Sequence, residues 1–313
     1  MRPLALLPLL LAACAADAPV DDDAAPPVRP AAVENPAVAV PDEFGDYWYQ
    51  GEAELTSYRL EQARYGEVHP GEAVLIFVTE PFSRSRQVKL DRAGAAGDDE
   101  ATVLKLNATR AFLTGVYPYT MMTSVFTPIG AEPTPLKVTT SSQEWCGHTY
   151  TQLNRTAEGW RARLFSYFES EGDQDRTLPA VMPEDGLWTL LRLDPERLPT
   201  GDVRLLPSGI YQRLSHRPLE PYSATATLSA PDDDGVRVYT LTYPDLGRTL
   251  RIVFQADFPH LIQGWEEERA SGFGAGAERL TTRAVFKERL MLDYWTRNKR
   301  GDEVFRTELG LGG

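Results

Sequence analysis

Three residues in the stretch SSQEWCGHTY, residues 141–150, carry side chains that could do chemistry together. If the stretch is one long strand, Glu144, Cys146 and His148 point to the same face, because residues two apart in a strand share a face. A cysteine thiolate needs a neighbouring base or cation to act as a nucleophile. Positions two apart are about 6.5 Å apart along a strand, which is long for a direct thiol–imidazole hydrogen bond. Gly147 permits a bulge that would shorten this distance.

The same stretch also has a purely structural interpretation. In it Cys146 is a small half-buried residue beside a hydrogen-bonded His148, and Trp145 points to the opposite face, into the core. The sequence holds no signature of a cysteine protease and no Cys-x-x-Cys pair. The spacing favours the structural interpretation, and a catalytic site of Cys146, His148 and Glu144 is the alternative.

Carboxylates at alternate positions in FESEGDQDR form a second candidate site. If a strand continues through this stretch, all four share a face and offer the hard oxygen ligands that calcium prefers. The spacing differs from that of an EF-hand loop. A solvated acidic turn is therefore the favoured interpretation, and a calcium site is the alternative. The carboxylates belong to Glu169, Glu171, Asp173 and Asp175.

The sequence provides little for other metals, for cofactors or for nucleic acid. The four histidines are far apart in the chain, which argues against a zinc site. No glycine-rich phosphate loop, G-x-S-x-G motif or dinucleotide fingerprint is present, so we expect no cofactor. The formal net charge of −13 argues against binding to nucleic acid, which requires a basic face.

Tyrosines and methionines in TGVYPYTMMTSVFTP are candidates for an apolar ligand site. In an extended chain Tyr117, Tyr119 and Met121 share one face, and Met122 lies on the other. Such side chains can line an adaptable apolar cavity, here together with Trp188. Ordinary core packing explains these residues equally well.

The elements that must position these residues are mostly strands. From residue 47 onward, alternating runs follow one another, separated by Gly, Pro, Asp or Asn, and PDDDG marks a hairpin. One segment, 184–194, predicts a helix because Pro183, Glu184 and Asp185 precede a run of leucines. We therefore predict a mainly β fold, a large curved antiparallel sheet forming a half-barrel or open barrel with this short helix packed against it. Two stacked β-domains divided near 180–200 are the alternative.

The N-terminal residues predict a lipid anchor. A short apolar run ends in Leu11-Ala12-Ala13-Cys14, which is typical of a bacterial lipoprotein signal cut before an acylated Cys14. An ordinary cleavage site with a chance cysteine is the alternative. We predict a signal peptide at 1–13, an Ala/Pro-rich disordered tether at 14–41, a β-rich domain at 42–300 and a C-terminal tail at 301–313. With Cys14 acylated, Cys146 has no partner for a disulfide.

Several long blocks of the sequence carry a resemblance that extends over about residues 46–296. They include YWYQGEAELTSYRLEQARYGE, AVLIFVTEPFS, KVTTSSQEWCGHTY and FSYFESEGDQD. The chain resembles a group of uncharacterised bacterial lipoproteins, common in Bacteroidetes-type genomes and often labelled septum formation inhibitor Maf. True Maf proteins are cytoplasmic nucleotide pyrophosphatases of α/β fold with a Ser-rich, Arg-containing motif near the N-terminus, which this chain lacks, so the label is a misnomer here. At the level of the predicted fold, the chain is also similar to periplasmic lipoprotein carriers.

Together these features predict an envelope lipoprotein without enzymatic activity. Its anchor would hold it at the membrane, with Ala15 and Ala16 after Cys14 favouring the outer membrane facing the periplasm. The curved sheet would bind an apolar small molecule, a lipid or an envelope protein, which requires an apolar concavity beneath the 184–194 helix. An envelope hydrolase or transferase using Cys146 and His148 is the alternative.

Overall fold

The computed structural model describes residues 42–130, 132, 134–272 and 274–312. The predicted signal peptide, Cys14 and the tether at 14–41 lie outside the described residues. Among the described residues, no helix has the length and apolar character needed to cross a membrane.

All strands belong to one sheet, which confirms the predicted mainly β fold. The sheet has 15 strands in the order β8-β7-β6-β5-β4-β3-β2-β1-β15-β14-β13-β12-β11-β10-β9, antiparallel except for β9 beside β10. The strands are β1 Ala53–Arg64, β2 Glu67–Ser83, β3 Glu100–Thr114, β4 Tyr117–Pro128, β5 Lys137–Glu144, β6 Gly147–Thr156, β7 Gly159–Ser166, β8 Gln174–Pro179, β9 Met182–Pro183, β10 Gly201–Leu206, β11 Tyr222–Leu228, β12 Val236–Tyr243, β13 Arg248–Gln255, β14 Ile262–Ser271 and β15 Glu278–Leu292.

The two halves of the chain form one sheet because the first and last strands pair. β1 runs antiparallel to β15, from the pair Ala53–Leu292 to the pair Glu61–Arg283. The alternative interpretation divided two domains near 180–200. This segment instead runs from β8, at one free edge of the sheet, to β10, and it contains β9, at the other free edge. The hairpin predicted at PDDDG is confirmed as the turn between β11 and β12.

Two helices cover the inner, concave face of the sheet. The helices of the fold are α1 Asp42–Trp48, α2 Glu184–Leu193, α3 Gly209–Ser215 and α4 Val304–Glu308. The predicted helix is confirmed as α2, whose Leu187, Leu190 and Leu191 are buried in the main core. The short helix α3 was not predicted, and it packs beside α2 on β4 and β5. Gly209 begins α3, and a Cβ there would lie 2.2 Å from the Thr140 hydroxyl, so this close approach requires glycine.

Residues near the C-terminus pack on the outer face of the sheet. Leu309, just after α4, is buried in a small cluster with Ala53, Leu55 and Val78. Its carbonyl accepts a hydrogen bond of 2.5 Å from the Ser57 hydroxyl. The segment 301–312 therefore covers part of the outer face where β1, β2 and β15 meet.

A buried ion pair attaches the C-terminal end of α2 to β1. The Arg192 guanidinium donates two hydrogen bonds, of 2.5 and 2.7 Å, to the two carboxylate oxygens of Glu54. Both residues are fully buried, and the guanidinium lies over the rings of Trp48 and Phe77. Burial alone would raise the pKa of Glu54, but the charge and hydrogen bonds of Arg192 hold that pKa below its usual value.

Removing one partner of this pair should destabilise the fold strongly. We expect Glu54→Gln to lower the free energy of unfolding by about 3–5 kcal/mol, because Arg192 keeps a buried charge with no counter-charge. The double change Glu54→Leu with Arg192→Met removes both charges and should recover most of this loss. Urea unfolding of the three proteins measures the effect. Arg59→Gln, in the exposed Arg59–Glu61 pair, is the control and should change stability by less than about 1 kcal/mol. An equally small effect of Glu54→Gln would contradict the assigned role of the pair.

Candidate functional site

The stretch SSQEWCGHTY is a hairpin in the structure rather than the predicted single strand. β5 ends at Glu144 and β6 begins at Gly147, with Trp145 and Cys146 forming the turn. The Glu144 carboxylate accepts a hydrogen bond of 2.6 Å from the backbone N–H of Cys146, which stabilises the turn. The prediction was wrong here because the two turn residues are not of the types that usually mark a hairpin.

The turn places the candidate catalytic residues in an exposed position. Trp145, expected in the core, is 70% exposed, and Cys146 and His148 are exposed as well. A hydrogen bond from the thiol to Glu144 raises the pKa of Cys146 above its usual value. A thiol that is held protonated is a poor nucleophile near neutral pH. This geometry therefore favours the structural interpretation of Cys146.

The four candidate calcium ligands do not share a face. β7 ends at Ser166 and β8 begins at Gln174, so the strand does not continue through FESEGDQD. The Glu171 carboxylate lies 2.7 Å from a ring nitrogen of His216, and Asp175 accepts hydrogen bonds from Arg161. Asp173 accepts a hydrogen bond from the backbone N–H of Ser166. Glu169 is exposed. Within the described residues, no group of three or more His, Cys, Asp and Glu side chains is arranged to hold a metal ion.

The candidate apolar ligand residues are divided between the core and the surface. Tyr119, Met121 and Trp188 are buried, Tyr117 is half-buried and Met122 is 39% exposed on the outer face. Tyr119 stacks on Phe112 and shares hydrogen bonds with Arg64 and Tyr65, so it is a core residue with a polar end. Of the five, Trp188 lines a cavity.

The cavity beside α2 is small, and its lining combines apolar residues with charged ones. Its volume is about 30 Å³, which is space for about two water molecules. Trp188, Trp265 and several aliphatic side chains form much of its lining. The charged residues of the lining are Arg110, Glu184, Asp185, Arg248 and Glu267. The continuous apolar concavity expected beneath the 184–194 helix is therefore not present in the described part of the molecule, because side chains of the sheet and of α2 and α3 fill that space.

A buried network of charges surrounds this small cavity. Arg248 donates two hydrogen bonds to Glu184, of 2.5 and 2.7 Å, and one of 2.5 Å to Glu267. Burial would raise the pKa of Glu267, but the charges of Arg248, Arg269 and Arg110 lower it to about 2. Burial raises the pKa of Asp185 to about 6, although its carboxylate accepts a hydrogen bond of 3.0 Å from the backbone N–H of Gly209. That bond connects α2 to the start of α3.

A larger cavity lies between α3 and the inner face of β5–β8. We call it the α3 cavity; its volume is about 200 Å³. Threonines of β5 and β6 form one wall, namely Thr140, Thr149 and Thr151. The charged residues of the lining are Glu171, Arg176, Arg213, His216 and Arg217. The cavity is therefore polar, and three guanidinium groups contribute to a lining that contains one carboxylate.

Arg213 of α3 is the buried cation of this cavity. Its guanidinium lies 3.3 Å from the Glu144 carboxylate and 4.2 Å from the centre of the Phe168 ring. Its Nε atom is buried without a hydrogen-bond partner among the described residues. Arg176 and Arg217, by contrast, are exposed, so they lie where the cavity opens to solvent.

Sequence reasoning found one part of this site and missed the rest. Glu144 and Glu171 were candidates, and the structure brings both to Arg213 or His216 at the α3 cavity. The basic residues were missed because the stretch GIYQRLSHR was assigned to no element. The close spacing of Arg213, His216 and Arg217 in this stretch is the sequence feature that could have identified a basic site.

Comparison with known proteins identifies no family for this chain. No family model matches it, and no curated protein matches it. Among solved structures, it is similar to a "Beta-barrel-like Protein of Domain of Unknown Function DUF1849" from Brucella abortus. The match has a TM-score of 0.45 and 10% sequence identity, and it covers 77% of this chain and 98% of that chain.

The raised pKa of Asp185 predicts a pH dependence of stability. Because the folded pKa lies above the unfolded one, protonation favours folding, and this contribution is lost as pH rises from about 4 to about 6. Asp185→Asn removes the titration. We expect the free energy of unfolding of the wild type, minus that of the variant, to fall by roughly 2–3 kcal/mol over this range.

Urea unfolding at several pH values between about 4 and 7 measures this difference. The opposite contribution of Glu267, whose pKa is lowered, is lost mainly as pH falls below about 4, outside this window. A difference between wild type and Asp185→Asn that does not change with pH would show that Asp185 does not titrate there.

Proposed function

We propose that this chain is a non-enzymatic binding protein of the bacterial envelope, anchored through Cys14, and that it binds a small anion in the α3 cavity. The observation that carries the proposal is the lining of that cavity of about 200 Å³, to which Arg176, Arg213 and Arg217 contribute three guanidinium groups and Glu171 one carboxylate. Guanidinium groups bind carboxylate and phosphate through paired hydrogen bonds.

The size of the α3 cavity supports a small ligand. Drug-sized ligands occupy pockets of about 300–1,000 Å³, so about 200 Å³ suits a phosphate group or a short organic acid. The hydroxyls of Thr140, Thr149 and Thr151 offer neutral hydrogen bonds beside the charged groups.

The buried Arg213 supports an anion rather than an apolar molecule. Glu144 balances its charge, but its buried Nε–H has no acceptor among the described residues. Leaving a buried donor unpaired costs about 1–3 kcal/mol, so a small movement of Arg213 that brought this N–H to a ligand oxygen would stabilise the bound state. An apolar ligand or an acyl chain would offer no acceptor to the guanidinium N–H groups that have no partner within the protein.

An enzymatic role for Cys146 and His148 has less support. Both side chains are exposed at a hairpin, and the hydrogen bond to Glu144 keeps the thiol protonated. Glu144 itself forms a buried ion pair with Arg213, so this carboxylate already has a structural role.

Anion binding can be tested by titrating the full chain with inorganic phosphate and with succinate in a calorimeter. We expect one of these anions to bind, and we expect Arg176→Gln with Arg217→Gln to weaken binding roughly tenfold or more by removing charged hydrogen-bond donors. Arg59→Gln, an exposed arginine on the outer face of β1, is the matched control and should leave affinity unchanged. Failure of both anions to bind the wild type, or equal binding by the double variant, would contradict the proposal.

The lipid anchor has its own test. We expect mass spectrometry of the chain purified from a bacterial membrane to show fatty acids on an N-terminal Cys14, with residues 1–13 removed. Cys14→Ala should abolish acylation and move the protein from the membrane fraction to the soluble fraction or leave its signal uncut. A cleaved chain without fatty acid, starting elsewhere, would favour the ordinary signal peptide.

A further inference from the structure

Four aromatic side chains form a row beside the α3 cavity, on the inner side of the sheet. We call this row the aromatic rim, and its residues are Tyr117, Trp145, Tyr167 and Phe168. Trp145 and Tyr167 are 70% and 68% exposed, and the other two are half-buried. Rings as exposed as these bury little apolar area, so they contribute little to the stability of the fold.

The strand register places the first two rings on the inner side. Tyr117 lies two residues before the buried Tyr119 on β4, so both side chains point to the same face. The ring of Trp145 lies beside that of Tyr117, with 6.4 Å between the ring centres and 29° between the ring planes. The rim crosses β4–β7, and neighbouring strands are about 4.8 Å apart, so it is roughly 15 Å long.

A glycine brings Tyr167 into the same row. Gly147 of β6 pairs with Glu144 of β5, whose carboxylate contacts Arg213 on the inner side. A Cβ at Gly147 would point to that side too and would lie 2.5 Å from the Tyr167 ring. Only glycine therefore lets the ring approach the start of β6 this closely.

The loop between β7 and β8 belongs both to the rim and to the α3 cavity. The centre of the Phe168 ring lies 4.2 Å from the guanidinium carbon of Arg213 and 5.4 Å from the ring of His216, and both of these residues line the cavity. Ser170 and Glu171, two and three residues further along the loop, line the cavity as well. A ligand that extends out of the cavity on this side therefore meets the rim.

A sugar acid has the chemistry that both parts of this surface require. Its anionic group suits the arginines of the α3 cavity, and about 200 Å³ is too little to enclose a larger ligand completely. The face of an aromatic ring carries negative partial charge, so it attracts the polarised C–H bonds on the face of a sugar ring. The hydroxyls at the edge of the sugar can bond to those of Tyr117, Thr149 and Ser170.

We propose that the ligand of the α3 cavity is a sugar acid, whose carboxylate binds the arginines while its ring stacks on the aromatic rim. This inference rests on the proposed function, because it assigns a ligand class to the same anion site. Trp145 and Tyr167 supply the most open ring faces. The rim is longer than one six-membered ring, so it also accommodates the next rings of an acidic oligosaccharide. A free sugar acid and the end of an acidic glycan share this chemistry.

Calorimetric titration of the full chain with three acids tests the proposal. Galacturonate carries its carboxylate on a sugar ring, galactonate is an open-chain sugar acid of the same charge, and 4-hydroxyphenylacetate carries its carboxylate beside an aromatic ring. We expect galacturonate to bind roughly tenfold more tightly than galactonate, because only a ring can stack. Tighter binding of trigalacturonate would identify a glycan as the source of the ligand, and equal binding would identify a free sugar acid.

Variants separate the rim from the arginines. Trp145→Ala should weaken galacturonate binding roughly fivefold to tenfold and leave galactonate binding unchanged, since it removes a ring but no charge. Trp145→Phe retains a ring and should keep most of the affinity. Trp295→Ala is the matched control, because it removes a 48% exposed tryptophan that follows β15, and it should change neither affinity. Arg176→Gln with Arg217→Gln should weaken the binding of both acids.

The outcomes distinguish this inference from the anion site itself. Equal affinities for galacturonate and galactonate, with no effect of Trp145→Ala, would overturn the inference and leave the anion site intact. Tighter binding of 4-hydroxyphenylacetate than of galacturonate would overturn it in favour of an aromatic acid. Binding of phosphate or succinate without binding of either sugar acid would also overturn it. If none of these anions bound the wild type, the proposed function would fail and this inference with it.

Discussion

Buried ion pairs at both ends of α2 determine where this helix lies in the sheet. Arg192 near its C-terminal end binds Glu54 of β1, and Glu184 at its N-terminal end binds Arg248 of β13. A charge left unpaired in the interior costs several kcal/mol, so each pair permits few other positions for the helix. The helix therefore connects two strands that are distant in the chain and crosses the concave face at a defined place.

The rest of the concave side follows from the position of α2. Asp185, next to Glu184, accepts the backbone hydrogen bond of Gly209 and so places the start of α3. Gly209 allows α3 to touch Thr140 of β5, and the helix then presents Arg213 and His216 to the inner face of β5–β8. The proposed anion site thus depends on a sequence of contacts that begins at the buried ion pairs.

Local patterns in the sequence were sufficient for most strands and for α2. Alternation between polar and apolar residues identifies a strand that is buried on one face, and Pro183 with two acids before a leucine run identifies a helix start. The hairpin at Trp145 and Cys146 was missed because its turn is stabilised by the Glu144 side chain rather than by Gly, Asn or Asp. Helix α3 was missed because it has only seven residues and begins at a glycine.

The sequence by itself determined the β-rich fold class and, through the alternation of polar and apolar residues, which side chains lie on the inner and outer faces of the sheet. It is also the basis of the prediction of an N-terminal lipid anchor. The tertiary structure decided which charges meet: Glu54 and Arg192 are 138 residues apart, and Glu184 and Arg248 are 64 residues apart. In place of the expected wide apolar concavity, it left a small cavity with a mixed apolar and charged lining beside α2 and a larger polar one beside α3. The physical reason is that neighbouring residues encode the face on which a side chain lies. The distance between two side chains of remote strands depends instead on the register of every strand between them and on how far the sheet curls.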